Sequence, residues 1–192
     1  MAEPSATRSA LLLMDLQRAI VDRFGADDAF LARLNAAAAA ARAADVPVIW
    51  VGVRFRPGHP EVSARNRAFA SLRGRPDGLT AGGAEAAVHP ALAVRPGDLE
   101  VTKLRVSAFA GSDLEVLLRA GEIRHLVLAG IATSGVVLST VRAAADLDFG
   151  LTVLADACLD ADAEVHRVLT CKVFPRQADV LSVAQWIAAL GD

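Results

Sequence analysis

Several things are scarce in this chain, and each scarcity removes a class of function. Cysteine appears only twice in 192 residues, at Cys158 and Cys171. The two form no CxxC pair and no evenly spaced ladder, which argues against a disulfide scaffold and for a cytoplasmic protein with reduced thiols. Charge of one sign is not in excess: the formal net charge is −2 and no basic block occurs, so no nucleic-acid footprint is expected. Histidine is sparse too. His59, His89, His125 and His166 share no ligand spacing, so no metal is expected. No apolar run approaches the ~20 residues of a membrane span. The opening MAEPSATRSALLLMD carries only a short apolar run, too short for a signal peptide and suited to a first strand. Internal repeats are absent, and Gly82-Gly83 lacks the flanking strand and helix of a phosphate cradle.

What is abundant is alanine and aliphatic core. Hydrophobic residues make up 54% of the chain and mean hydropathy is +0.38, raised by the unbroken run Ala36 to Ala41. At this length a single domain over residues 1–192 is the default. The segments alternate strand and helix. Strands are expected at 10–14, 46–55, 99–103, 125–130, 151–155 and 179–183. Helices are expected at 27–44, 113–120, 135–146, from Asp160 or Asp162 through Cys171, and at 184–190. Such alternation implies an α/β fold, a three-layer α/β/α arrangement around a mostly parallel sheet of about six strands. Residues 56–97 are turn-rich, with a short helix possible over 66–72. A long irregular stretch of this kind is often a functional lid or an oligomer contact.

The centre of the chain is Ile123 to Phe149. Leu126-Val127-Leu128-Ala129 is a near-continuous apolar run, which suits a central parallel strand covered on both faces. Gly130 and Gly135 then bracket small residues at the carboxyl end of that strand, where open α/β sheets bind ligands. Asp15 and Lys103 also follow expected strands, so the topology lets all three positions share one pocket. On spacing alone, Asp15 could equally cap the next helix and Lys103 could be a surface residue.

Three ordered motifs carry a family resemblance. Gly130 to Thr140, G-I-A-T-S-G-V-V-L-S-T, resembles the nucleophile turn of the isochorismatase-like cysteine hydrolases, roughly G-[VI]-x-T-x-x-C-V-x-x-T. Leu13-Met14-Asp15-Leu16-Gln17 and Thr102-Lys103 with Ser107-Ala108-Phe109 fit in the right order, and the likeness spans about residues 9 to 185. The resemblance implies a catalytic Asp15 and Lys103, and a pocket and oxyanion turn from Ile131, Ala132, Thr133 and Gly135. It also implies a cis peptide at Ile131–Ala132 and a pocket-lining Gln17, though Gln17 also fits a plain helix-start polar residue. It implies a homodimer or homotetramer acting on a small molecule without a cofactor. The D-x-H motif of metal-binding nicotinamidase relatives is missing after Trp50. Trp50 and Phe109 read as core.

One position departs from the family: its cysteine falls on Val136, and valine cannot attack a substrate. Cys158 reads as lying on a different loop and Cys171 as a buried thiol late in a helix, so neither replaces it. The family's isochorismatases proper also lack the cysteine. There the Asp protonates an enol ether and no protein nucleophile is needed, although they carry glycine where this chain has valine. The expected activity is therefore hydrolysis of a small metabolite by Asp/Lys acid–base chemistry. The alternative is an inactive ligand-binding or assembly relative, and a nicotinamidase-type amidase is disfavoured.

Overall fold

The computed structural model describes residues 8–75 and 78–191. Residues 1–7 of the opening stretch, Pro76-Asp77 of the expected loop, and Asp192 lie outside the described residues. Six strands form one sheet: β1 (Ser9–Met14), β2 (Val48–Val53), β3 (Leu99–Lys103), β4 (His125–Ile131), β5 (Gly150–Leu159) and β6 (Asp179–Leu181). Every pairing is parallel and the order is β3-β2-β1-β4-β5-β6. The chain fills one half of the sheet outward from β1 and then returns to build the other half from β4. The carboxyl ends of β1 and β4 thus diverge at a switch point, where such folds leave a crevice.

Helices cover both faces. On one side lie α1 (Arg18–Phe24), α2 (Asp28–Ala43) and α6 (Val183–Ala189), on the other α3 (Leu114–Ala120), α4 (Leu138–Asp146) and α5 (Ala163–Val168). Alternate β1 residues feed the two cores, Leu11 and Leu13 into one and Ala10, Leu12 and Met14 into the other. Both faces of β1 and β4 are therefore dry, as their continuous apolar runs require. The alanine run serves packing: Ala37, Ala38 and Ala41 are fully buried on α2 beside Phe30, Leu31 and Leu34. Asp27 caps that helix, accepting from the Phe30 N–H at 2.7 Å.

Several sequence expectations shift. Helix α1 is not foreseen, because RAIVDRF buries only Val21 outright and shows too little of a 3.6-residue stripe. Strand β5 runs past Asp156 to Leu159, with a register shift against β4 between Leu128 and Gly130. Cys158 is consequently a strand residue opposite Gly130 rather than a loop residue. The fifth helix ends at Val168 and gives way to a wide turn over Leu169–Val173, which leaves Cys171 exposed instead of buried. Among the described residues of 56–97, the helical elements are two short 3₁₀ turns, Ala70–Gly74 and Ala84–Ala86. That segment has a small core of its own: Phe55 meets Phe69 and His59 edge-on at 5.5 and 5.7 Å, over Val53, Val62 and Leu72.

Candidate active site

The switch point holds a pocket of about 320 Å³, at the small end of ligand cavities. Asp15, Lys103, Ile131, Ala132, Gly135 and Val136 line its floor, and Phe69, Leu72, Arg75, Leu79 and Glu85 of the irregular segment form its roof. Within the irregular segment, described residues between Ala68 and Glu85 thus form a lid over this site.

Asp15 sits one residue beyond β1. Its N–H still donates to Val51 O at 2.8 Å, but its φ of 55° turns the chain out of the sheet and points the side chain over the strand ends. Aspartate is among the residues that enter this left-handed region most readily. Lys103 ends β3 and is 1% exposed. Its Nζ lies 3.0 Å from Asp15 Oδ2 and donates to Arg105 O at 2.9 Å. The bland alternatives for both residues fail: α1 takes Gln17 as its N-cap position, and Lys103 is not on the surface.

The two oxygens of Asp15 are unlike. Oδ2 faces Lys103, whereas Oδ1 is buried with no hydrogen-bond partner among the described residues. Burial pushes the Asp15 carboxyl above its ordinary range, and Lys103 and the Val53 main chain offset this only in part. A carboxyl that can hold a proton in a pocket, beside a cation that steadies its ionised form, is equipped for both directions of proton transfer.

The turn after β4 is built from close approaches. Gly130 adopts φ 141°, and a Cβ there would stand 2.1 Å from Met14 O, so only glycine lets β1 and β4 meet under the pocket. The Ile131–Ala132 peptide is cis, at the position where the sequence expects it. Val136 is 1% exposed and packs with Val137 and Val141 while its side chain borders the pocket. Thr140, the last residue of the turn motif, accepts from the Ala108 N–H at 3.0 Å, which ties that motif to Ser107-Ala108-Phe109.

Two expected pocket residues face elsewhere. Gln17 is buried outside the pocket lining: its amide nitrogen donates to Val53 O and Ala86 O, and its oxygen accepts from the Val53 N–H, all at 2.9 Å. It clamps the lid to β2. Thr133 is fully buried, with Oγ1 2.8 Å from His166 Nδ1, and so anchors the turn to α5. The turn also spends its amides internally. Ser134 N–H donates to Asp160 Oδ2 at 2.7 Å, and Gly135 and Val137 N–H donate to Ala132 O at 3.1 and 3.2 Å. Asp160 therefore fastens this turn rather than opening α5, where Asp162 is the cap.

Neither cysteine is placed to serve as a nucleophile here. Cys158 does not line this pocket, and burial pushes its thiol up to about 12. Among the described residues no group of three or more His, Cys, Asp or Glu side chains is arranged to hold a metal ion. Sequence reasoning missed Arg23, Arg75 and Glu85, which reach the pocket from α1 and the lid. Their segments carry no periodic signal that could have singled them out.

Comparison with known proteins places the chain in a family. The Isochorismatase domain model matches residues 9–185. The chain is 32% identical to ureidoacrylate amidohydrolase RutB of Pseudomonas syringae pv. syringae, over 96% of this chain and 81% of that protein. It is 34% identical to the isochorismatase family protein YecD of Escherichia coli O157:H7, over 99% of this chain and 100% of that protein. Among solved structures, an isochorismatase family protein from Burkholderia thailandensis superposes with a TM-score of 0.81 at 32% identity, covering 96% of each chain. With the sheet order, the strand-end carboxylate and the match over nearly its whole length in agreement, this chain belongs to the isochorismatase family of hydrolases.

Proposed function

We propose that the protein hydrolyses a small metabolite without a cysteine nucleophile, with Asp15 as general acid and base and Lys103 as its cationic partner. The observation that carries this reading is the Asp15–Lys103 pair, 3.0 Å apart in a pocket whose thiol position is filled by Val136. Burial favours a protonated Asp15, and a protonated carboxyl suits bonds that break after protonation of carbon.

A vinyl ether is such a bond. Asp15 transfers its proton to the enol-ether carbon, and positive charge develops on the adjacent carbon and its ether oxygen. Lys103 stabilises the carboxylate left behind. Water adds to the cation and returns a proton to Asp15, and the hemiketal collapses to a carbonyl compound and an alcohol. No step needs a nucleophile from the protein or an amide-lined oxyanion site. The relatives named ureidoacrylate amidohydrolase act, by that name, on an amide-type bond. On this chain the same bond would have to be attacked by water, with Asp15 as base. The reading extends to a homodimer or homotetramer in the cytoplasm, whose solution mass would be two or four times the 20.0 kDa chain; a monomer mass by light scattering removes that part.

The test is a screen of purified protein against vinyl ethers, small amides and lactones, followed by Asp15→Asn on whatever is turned over. Loss of a positioned acid–base group lowers turnover on the order of 100- to 10,000-fold, and Lys103→Ala is expected to lower it as well. Near-full activity of folded Asp15→Asn would assign the chemistry to another group. A protein that binds compounds from the screen and turns none over is the inactive ligand-binding relative.

A further inference from the structure

The charges around the pocket do not cancel. Five charged side chains line it: Asp15, Arg23, Arg75, Glu85 and Lys103, three cations against two anions. Four of them are spoken for. Lys103 pairs with Asp15 at 3.0 Å on the floor. On the roof, Arg75 Nη2 bonds both carboxylate oxygens of Glu85, at 2.8 and 2.9 Å. The fifth, Arg23, is an exposed residue in the last turn of α1, and its side chain makes no hydrogen bond or ion pair with any described residue. Around these charged groups much of the lining is apolar: Ile20, Phe24, Phe69, Leu72, Val106 and Val136.

One uncompensated guanidinium beside an apolar pocket of about 320 Å³ is a recognition pattern. A ligand with an apolar body fills the walls. A single carboxylate on it would meet the planar donor fork that guanidinium offers, without disturbing either existing pair. A neutral ligand leaves that fork solvated and gains nothing from it. A dianion would have one charge unmatched unless it broke the Arg75–Glu85 pair.

We propose that this site selects monocarboxylates with a compact apolar body, and that Arg23 is the residue that confers the selection. The inference rests on the reading of this pocket as the substrate site, but its test reads binding rather than turnover. The probes are benzoate and benzamide, nearly equal in shape and different in charge, titrated calorimetrically into the wild-type chain and variants. Benzoate is expected to bind about tenfold more tightly than benzamide, the size of one charge-assisted hydrogen-bonded contact, and its advantage should shrink as salt is added. Arg23→Gln removes that advantage and leaves benzamide binding unchanged. Arg23→Lys retains part of it, and Arg119→Gln, on the distant α3 where Arg119 pairs with Glu115, retains all of it.

Equal binding of the two probes to the wild type, or a benzoate preference that survives Arg23→Gln, overturns the proposal. The catalytic reading fails separately. Asp15→Asn with full turnover refutes the acid–base assignment, while a benzoate preference abolished by Arg23→Gln would still stand.

Discussion

Asp15 and Val136 define what this pocket can do. The carboxyl is raised because the pocket withholds water from its charge, and Lys103 recovers only part of the cost. The sign of the pH dependence follows. An acid catalyst works in its protonated form, so turnover should fall as pH rises through the folded-state value, which lies above the ordinary 3.8. A pH profile of kcat/KM should show this limb in the wild type and lose it in Asp15→Asn. A limb at or below the ordinary carboxylate value would contradict the account. Stability moves the same way. Between 3.8 and the raised value the native state holds a proton the unfolded chain has released, so Asp15 makes folding less favourable as pH climbs across that window.

Val136 supplies the complementary test. Val136→Cys places a thiol on the wall of the pocket that Asp15 and Lys103 also line, two residues before α4 begins. A neighbouring cation and a helix start lower a thiol's pKa. The engineered thiol should therefore react with iodoacetamide at lower pH than exposed Cys171, and far faster than buried Cys158. The swap replaces one small apolar side chain by another, so its stability cost should stay below about 1.5 kcal/mol. An inert thiol in a folded variant would mean that the pocket does not admit reagents or that Asp15 does not activate this position.

At the scale of elements, the lid is held by well-satisfied contacts. Gln17 joins β2 to the 3₁₀ turn Ala84–Ala86 through three hydrogen bonds at 2.9 Å, beside main-chain bonds from Arg18 N–H to Ala87 O and from His89 N–H to Leu16 O. Further along, Asp98 gathers Arg42 at 2.9 and 2.6 Å, Trp50 Nε1 at 2.8 Å and the Arg95 N–H at 3.0 Å. Burial would raise its carboxyl, but these donors outweigh it and hold it below its usual range. Gln17→Ala strands the buried Val53 and Ala86 main-chain groups, so it should destabilise the protein by about 2–3 kcal/mol in urea unfolding. It should also loosen the lid and raise KM more than it lowers kcat. A neutral Gln17→Ala would mean that the lid is held by its apolar cluster instead.

Elements differ in how far the chain betrays them. Strands β1 and β4 are legible because both faces are buried and their apolar runs are unbroken. Lys103 and Asp15 are legible through the family motifs that contain them, since their places at strand ends leave a helix cap or a surface residue equally open. The far half of β5 is not, since Asp156 looks like a strand end while its Oδ1 is accepting from the Val183 N–H at 2.8 Å. Gln17 takes the helix-start place rather than the pocket-lining one of the two the sequence leaves open, because a motif position says nothing about where an amide's partners lie. Its partners come from residues 36 and 69 positions away. Arg23 and the roof residues are set by tertiary packing of segments with no period, which leaves no local trace.

For the whole molecule, the strand order concentrates function at one place. Building the sheet outward from β1 and then from β4 brings Asp15, Lys103 and the 131–136 turn together from three distant stretches. The lid that closes over them descends from the chain between β2 and β3. On the proposed reading, Val136 stands in place of the family's thiol, and Asp15 and Lys103 supply proton transfer. The most direct test of that claim is turnover by a Cys158→Ala/Cys171→Ser double variant, shown to be folded by circular dichroism. Turnover within about twofold of wild type, with no covalent adduct on the wild-type protein by intact mass during reaction, is the expected result. A fall in the folded double variant to the level of Asp15→Asn would show that a thiol carries the reaction, and would contradict the account.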